Sequence, residues 1–487
     1  MNEVTRRRFI ATTAMSIAAT SLRAQATAQV TLTIPAAADG PHMPMDYIGL
    51  SYEVQQLLDP AFFSGQNAGL IRALKALSAH GVLRLGGNTS EFAWWRPTPD
   101  ATEAVRNLAA FLRETGWTCL YGIGMGTNTP DRAAAEAEFV ATTLGGGLQY
   151  FQIGNEVDLF SNHLRDPKTW NAKAYLGEWL AIAREVAKAV PEARFGIPDL
   201  AGNVGWLTEI AQMWPSVQDP PHVTTLTHHY YFGGPATNPE VSIPNLLKPA
   251  TMARVQKTAE TATAAADKMG ARVRMTEGNT CYRGGKPGVS DVFAAALWSA
   301  DYALLLASNN YSGVNLHGGT GKSVANSVGA FLPGDVMLKD AGATPEQIAS
   351  RPHPFYTPIA KFGDHYSLEP VGYGLKFASA LCGATLVKVD LTSQFQASSI
   401  DATAYAAKLP GGAMTEVILN KDAERDLRLT FDFGAGRNGG VEIETLRAPA
   451  IDAREAHITR DAKHGALKQG RYTVIVPHTS GMRVAVR

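Results

Sequence analysis

Two hydrophobic rhythms alternate along most of this chain, and their order sets the expected fold. Short runs dense in apolar residues fall at 47–53, 82–88, 119–125, 150–156, 194–199, 224–231, 272–279 and 313–319, and read as buried strands. Between them the spacing shifts to that of amphipathic helices, over 68–80, 101–114, 132–144, 171–189, 204–213, 250–269 and 291–308, with a last helix over 369–381. In the first helix Leu70, Ile71, Leu74 and Leu77 share one face, and Gly81 closes it. Eight strands separated by helices predict a parallel (β/α)8 barrel over 46–382, an α/β TIM barrel.

After Gly383 the rhythm changes. Short alternating runs at 384–389, 402–407, 414–419, 427–433, 441–446, 471–476 and 482–486 follow one another with no helix between them, which predicts a C-terminal β-sandwich over 383–487. The early run 30–34, within a segment 29–45, alternates as a half-buried strand and is broken by Pro35. It has no place in a parallel barrel and is expected to join the sandwich. The stretch 320–353, rich in Gly, Ala, Ser and Pro, falls where a barrel rim loop belongs, and loops of that length are usually functional.

Composition narrows the function classes. The 44 basic and 44 acidic residues balance, and no Lys/Arg-rich run follows the first few residues, so a nucleic-acid partner is not expected. No apolar run is long enough to span a bilayer. Cys119, Cys281 and Cys382 are scattered without metal-ligand spacing, and no cofactor fingerprint is present, so neither a metal nor a cofactor is expected. At the N-terminus, Thr5-Arg6-Arg7-Arg8-Phe9-Ile10 leads into a small apolar run and an Ala24-Gln25-Ala26 cleavage signature. Residues 1–28 thus resemble a twin-arginine export signal, which implies a periplasmic or secreted protein.

In a barrel of this kind the chemistry lies at the C-terminal ends of the strands. Those ends present Glu53, Asn88, Met125 with Asn128, Asn155 with Glu156, Asp199, His228 to Tyr231, Glu277 with Tyr282, and His317. Carboxylates, amides and phenols dominate this set, as a sugar site requires. Glu156 and Glu277 end two strands roughly three strand–helix units apart, and two acids on one rim are what glycoside hydrolysis needs. Glu277, expected near Tyr230 and Arg84, is assigned as nucleophile. Glu156 is assigned as acid/base, with Asn155 beside it able to bond a sugar 2-hydroxyl. Carboxyl groups about 5–5.5 Å apart are expected, in keeping with retention of configuration. Glu53 either lines the sugar pocket or caps the following loop. His228 and His229 are adjacent on a strand and point to opposite faces, which argues against a shared metal ion. Cys281 reads as a buried thiol.

The segments VLRLGGNTSEF (82–92), QIGNEVD (152–158), THHYY (227–231), TEGNTCY (276–282) and EPVGYGLKFA (369–378) together resemble glycoside hydrolase family 79, the β-glucuronidase and heparanase family of retaining (β/α)8 glycosidases. The resemblance implies Glu156 as acid/base, Glu277 as nucleophile, and Asn155 and Glu53 as partners of sugar hydroxyls. It also implies Tyr282 as a contact of the uronate carboxylate, with Tyr356 as a second tyrosine after the eighth strand. The long insertion places Tyr356 far from Glu277 in sequence. Phenols and amides in place of an arginine would bind the carboxylate without a fixed positive charge beside the developing oxocarbenium ion. The expected activity is exo-acting, retaining release of terminal glucuronic acid from an oligosaccharide, polysaccharide or glycoside. An endo-acting, heparanase-like hydrolase and a catalytically inactive carbohydrate-binding protein are the alternatives.

Overall fold

A computed structural model describes residues 27–92, 95–320 and 353–487. Nearly all of the expected export signal and the body of the 320–353 insertion lie outside the described residues.

Eight parallel strands close into a barrel: β2 (Ile48–Glu53), β3 (Val82–Gly86), β4 (Thr118–Ile123), β5 (Leu148–Ile153), β6 (Phe195–Leu200), β7 (Val223–Gly233), β8 (Arg272–Cys281) and β9 (Tyr311–His317). β9 pairs with β2 to complete the ring, Ser51 opposite His317. The outer layer contains α1 (Ala68–Leu77), α2 (Pro99–Thr115), α3 (Pro130–Leu144), α4 (Ala172–Ala189), α5 (Gly205–Met213), the short α6 (Ile243–Leu247), α7 (Pro249–Met269) and α8 (Phe293–Ser308). Local chemistry marks their ends. Asn67 caps α1 and Asn171 caps α4 through side-chain oxygens, and α2 ends on Gly116 in the left-handed region.

Beyond the barrel, a hairpin of β10 (Ile359–Phe362) and β11 (His365–Leu368) precedes α9 (Pro370–Ser379). The sandwich then comprises β12 (Thr385–Leu386), β13 (Ala402–Lys408), β14 (Met414–Asn420), β15 (Asp426–Asp432), β16 (Gly440–Arg447), β17 (His457–Ala466), β18 (Arg471–Val476) and β19 (Ser480–Val486). One sheet runs β12-β13-β14-β19-β16-β17. The other runs β1-β15-β18, where β1 is Thr27–Thr33. As expected, the first strand of the described chain belongs to the sandwich: it pairs in parallel with β15, Val30 opposite Leu429.

Three differences from the expected elements have physical causes. The edge strand β17 is almost wholly exposed and polar, so it carries no alternation to read. The β10–β11 hairpin is too short to show a period. The expected strand at 384–389 contracts to two residues.

Helix α8 explains how the two domains become one body. Nearly all its residues are buried: α9 packs along it, α6 and α7 flank it, β9 lies against it, and side chains of the sandwich reach its centre. From its centre Asp301, fully buried, accepts hydrogen bonds from Thr403 Oγ1 (2.8 Å), Tyr405 OH (2.6 Å) and Lys421 Nζ (2.7 Å), all on the sandwich side. The amides of Phe293 and Ala294, orphaned at the start of α8, donate to the carbonyls of Ala453 and Ile451. Among the described residues no helix is long and apolar enough to cross a membrane.

Candidate active site

Arg84 lies in the middle of the barrel and organises the floor of its C-terminal end. Projecting inward from β3 with 1% exposure, its guanidinium reaches Asp199 Oδ2 (2.6 Å), Glu277 Oε2 (2.5 Å), Asn155 Oδ1 (2.7 Å) and Ser51 Oγ (3.1 Å). Burial alone would favour its neutral form, but Asp199, Glu277 and Glu53 outweigh that and hold it more firmly protonated than usual. Asp199, at the end of β6, also accepts from Gln152 Nε2 (2.7 Å) and Thr276 Oγ1 (2.5 Å). Against the cost of burial, the charges of His229 and Arg84 keep it well below the ordinary carboxylate range.

Glu277 rises from this floor on β8. Its Oε1 accepts from the Tyr231 hydroxyl (2.9 Å) and lies 3.5 Å from His317 Nδ1. Burial pushes its carboxyl up, but His317, His229 and Arg84 together bring it down to about 2, so it is ionised at neutral pH.

Glu156 stands across from it under different influences. The residue comes two positions after Gly154 and adopts left-handed backbone angles, φ 50 and ψ 46, which residues other than Gly, Asn and Asp seldom take. Two bonds hold that conformation: its N–H donates to the Asp199 carbonyl (2.8 Å), and its carbonyl accepts from Leu159 N–H (2.8 Å). The side chain is 18% exposed and bonds His229 Nδ1 (3.1 Å). Burial raises its carboxyl above the usual range and the charge of Glu277 adds to that; His229 opposes both. One oxygen of Glu156, one of Glu277 and one ring nitrogen of His229 all lie within 4.8 Å of one another.

His229 connects the two halves of the site. Its Nε2 is 3.1 Å from Asp199 Oδ1, and although burial opposes charge, Asp199 and Glu277 push it up to about 10. As an imidazolium it has no lone pair to offer, so Glu156, His229 and Glu277 form a poor nest for a cation despite their proximity. His228 faces the other way and bonds the Tyr311 hydroxyl (2.7 Å), as strand alternation requires.

The two glutamates open into one cavity of about 1080 Å³. Asn88, Asn155, Tyr282 and Tyr356 line it, as do His317, Asp158 and Glu91. Asn155 is locked by Arg84 on its oxygen and by Asn88 Oδ1 (2.8 Å) on its amide nitrogen. Tyr356 is brought back across the long insertion by Asn279, whose Nδ2 donates to the carbonyls of both His317 and Tyr356 at 2.9 Å. Its hydroxyl lies 3.1 Å from His317 Nδ1. Tyr282 is 38% exposed and packs edge-on to Tyr231. Gly234 lies flat on the Tyr282 ring: a Cβ there would come within 2.6 Å of it.

Two expectations need correcting. Tyr230 does not approach Glu277; it stacks on Tyr302 of α8, 5.3 Å between ring centres, and the residue beside that carboxylate is Tyr231. Counting in twos along β7 from the apolar Leu226 would have put Tyr230 on the outer face and His229 with Tyr231 on the inner one. Glu53 does not line the cavity; its Oε2 caps the loop after β3, accepting from Thr89 N (3.0 Å) and Thr89 Oγ1 (2.7 Å) under Gly87, whose left-handed turn has no room for a Cβ above that carboxylate. Arg283 lines the same cavity beside Tyr282.

Sequence reasoning missed Glu91 altogether. It is 3% exposed, and its two oxygens accept from the amides of Asn155 (2.6 Å), Met125 (2.9 Å) and Gly126 (2.5 Å), joining the loops after β3, β4 and β5. Burial drives its carboxyl up to about 7, with those amides and Arg165 pulling the other way.

No protein-family model matches the chain. A curated β-glucuronidase of Aspergillus niger is 26% identical over 302 residues, 54% of this chain and 55% of that protein. One of Neurospora crassa is 29% identical over 198 residues, 36% and 35% of the two chains. The chain thus spans about half, or less, of the length of these curated relatives. Among solved structures, a 4-O-α-L-rhamnosyl-β-D-glucuronidase from Fusarium oxysporum superposes with a TM-score of 0.69 at 16% identity, covering 94% of this chain and 100% of that one. A family 51 arabinofuranosidase from Xanthomonas axonopodis gives 0.65 at 14% identity, covering 95% and 100%. At such identities the structural likeness shows the fold, a TM barrel with a sandwich in the manner of these glycosidases. The sequence relatives bear out the resemblance to the β-glucuronidases of glycoside hydrolase family 79 that the motifs carry.

Proposed function

We propose that this protein is a retaining β-glucuronidase that releases terminal glucuronic acid by double displacement. The observation that carries the reading is the opposite tuning of two neighbouring carboxyls on one cavity: Glu277 held ionised, Glu156 raised toward its protonated form. One oxygen of each acid lies within 4.8 Å of the other's, which supports the short carboxyl separation of a retaining enzyme over the roughly 6.5–9.5 Å of an inverting one.

In the first step a Glu277 oxygen attacks the anomeric carbon, the bond from that carbon to the leaving oxygen breaks, and Glu156 gives its proton to that oxygen. A covalent glucuronosyl ester results. Glu156, now a carboxylate, takes a proton from water; the hydroxyl oxygen bonds to the anomeric carbon and the Glu277 carboxylate departs. The imidazolium of His229 lies between Glu156 and Asp199, and so stabilises the Glu156 carboxylate each time it forms. Asn155 and Asn88 are set for sugar hydroxyls. Tyr282, Tyr356 and Arg283 supply donors for the uronate carboxylate. The names of the fungal relatives support glucuronate over other sugars, and the arginine pair and cleavage signature near the N-terminus support export.

The test is hydrolysis of aryl β-glucuronide beside aryl β-xyloside and β-glucoside. Wild type is expected to cleave the glucuronide preferentially, and Glu277→Gln to lose activity by a factor on the order of 10⁴ or more. Preference for the xyloside would refute the carboxylate pocket; full activity in the variant would refute the mechanism.

A further inference from the structure

We infer that the wall formed by residues 157–163 and 201–203 is a leaving-group subsite built for an uncharged, partly apolar aglycone, such as a neutral sugar or an aryl group. The inference rests on the double-displacement reading. A proton donor must sit within hydrogen-bond reach of the leaving oxygen, so whatever hangs from that oxygen extends past Glu156 along its neighbours.

Those neighbours form a fixed surface. The turn Val157–Asn162 follows Glu156 directly, and Asp158 within it accepts from three successive amides of the loop after β6: Ala201 (2.7 Å), Gly202 (3.1 Å) and Asn203 (2.9 Å). The two loops are thereby stitched into one wall before any ligand arrives, which removes an ordering cost from binding. The Asp158 charge is spent on those amides and does not call for a cation from the substrate.

On this wall Leu159 is 38% exposed, one of few large apolar side chains so open among the described residues, and it lines the cavity. Space is available beside it: about 1080 Å³ exceeds the roughly 300–1,000 Å³ of ordinary small-ligand pockets, so one terminal sugar leaves room for a second group. Asn162, His163 and Asn203 offer hydrogen bonds around the leucine. Charge decides the class of aglycone. Neither 157–163 nor 201–203 contains a Lys or Arg, and Arg165, two positions beyond the first segment, is committed to Glu178 at 2.8 Å. On this wall a sulfated or uronate-bearing aglycone would find no lysine or arginine to pair with, and its desolvation would go uncompensated.

The experiment compares kcat/KM for four substrates: β-glucuronosyl fluoride, which has no aglycone, 4-nitrophenyl β-glucuronide, glucuronate linked to a neutral sugar, and the same disaccharide sulfated on the second sugar. Wild type is expected to favour the neutral disaccharide over its sulfated form by about tenfold or more, and Leu159→Asp is expected to lower the aryl-to-fluoride ratio by about tenfold. Equal or better turnover of the sulfated disaccharide by wild type overturns the inference without recourse to any variant. So does an unchanged aryl-to-fluoride ratio in the variant. If neither the fluoride nor any glucuronide is hydrolysed, the glucuronidase reading itself falls, and this inference with it.

Discussion

Asp199 beneath the active site and Glu416 inside the sandwich are each 1% exposed, yet their surroundings drive them in opposite directions. Asp199 sits in a cluster where every neighbour answers it: Arg84, His229, Gln152 and Thr276. Glu416, on β14 of the sandwich, has both carboxylate oxygens without a hydrogen-bond partner among the described residues, and burial raises it well above the usual range, with the charge of Arg437 opposing. A carboxylate can be kept charged deep in a protein only by matching it group for group, and the barrel does so where charge must be in place for chemistry. In the sandwich no such match is made, and burial biases the carboxyl toward its neutral form instead.

The largest effect is expected from breaking the matched region at its centre. Arg84→Met leaves Asp199 and Glu277 buried without their guanidinium, a loss of about 3–5 kcal/mol of stability. Urea unfolding measures it, and a loss under about 1 kcal/mol would mean that the floor network does not support the barrel. A smaller effect of opposite sign is expected in the unmatched region. Because the folded Glu416 carboxyl is raised, its contribution to stability is fully present below the ordinary carboxylate range and is lost as pH rises toward the folded value. Glu416→Met should flatten that decline and stabilise the protein at alkaline pH by about 1–3 kcal/mol. A Tm that falls on substitution at pH 8 would show that Glu416 has a partner after all.

Glu91 tests the boundary between the two cases, being buried and raised to about 7 while its oxygens are satisfied by three amides. Its ionised form accepts all three bonds, whereas a protonated oxygen turns one acceptor into a donor facing an N–H. The Asn155–Glu156 backbone should therefore be best placed above pH 7. Wild-type kcat/KM is expected to rise through an inflection near 7 that disappears in Glu91→Gln, with a loss of about tenfold at pH 8. An inflection that survives in the variant would assign it to another group.

Much of this architecture was readable from the residues. The alternation of apolar strand runs with helical spacing gave every barrel strand, and the change of rhythm after Gly383 gave the second domain, because burial imposes a period wherever one face meets a core. Glu156 and Glu277 could be found because strand ends on a barrel rim face the site. What remained hidden was which way neighbours point and what lies across space from them. Tyr230 and Tyr231 differ by one position, and only inside–outside register along β7 tells them apart. Glu53 looked like a ligand because it ends a strand, whereas it caps its own rim at the amide and hydroxyl of Thr89. Glu91 lies in a short turn with no period, and its three amide partners come from two other segments, Met125–Gly126 and Asn155, so nothing local announces it.

The convergence of Glu156 and Glu277 on one anomeric carbon can be tested by incubating the protein with 2-deoxy-2-fluoro-β-glucuronosyl fluoride and locating the label by peptide mass spectrometry. A single glucuronosyl ester on the peptide carrying Glu277, formed with progressive loss of activity, is the expected result. Label on Glu156, or an active enzyme that forms no ester at all, would contradict it.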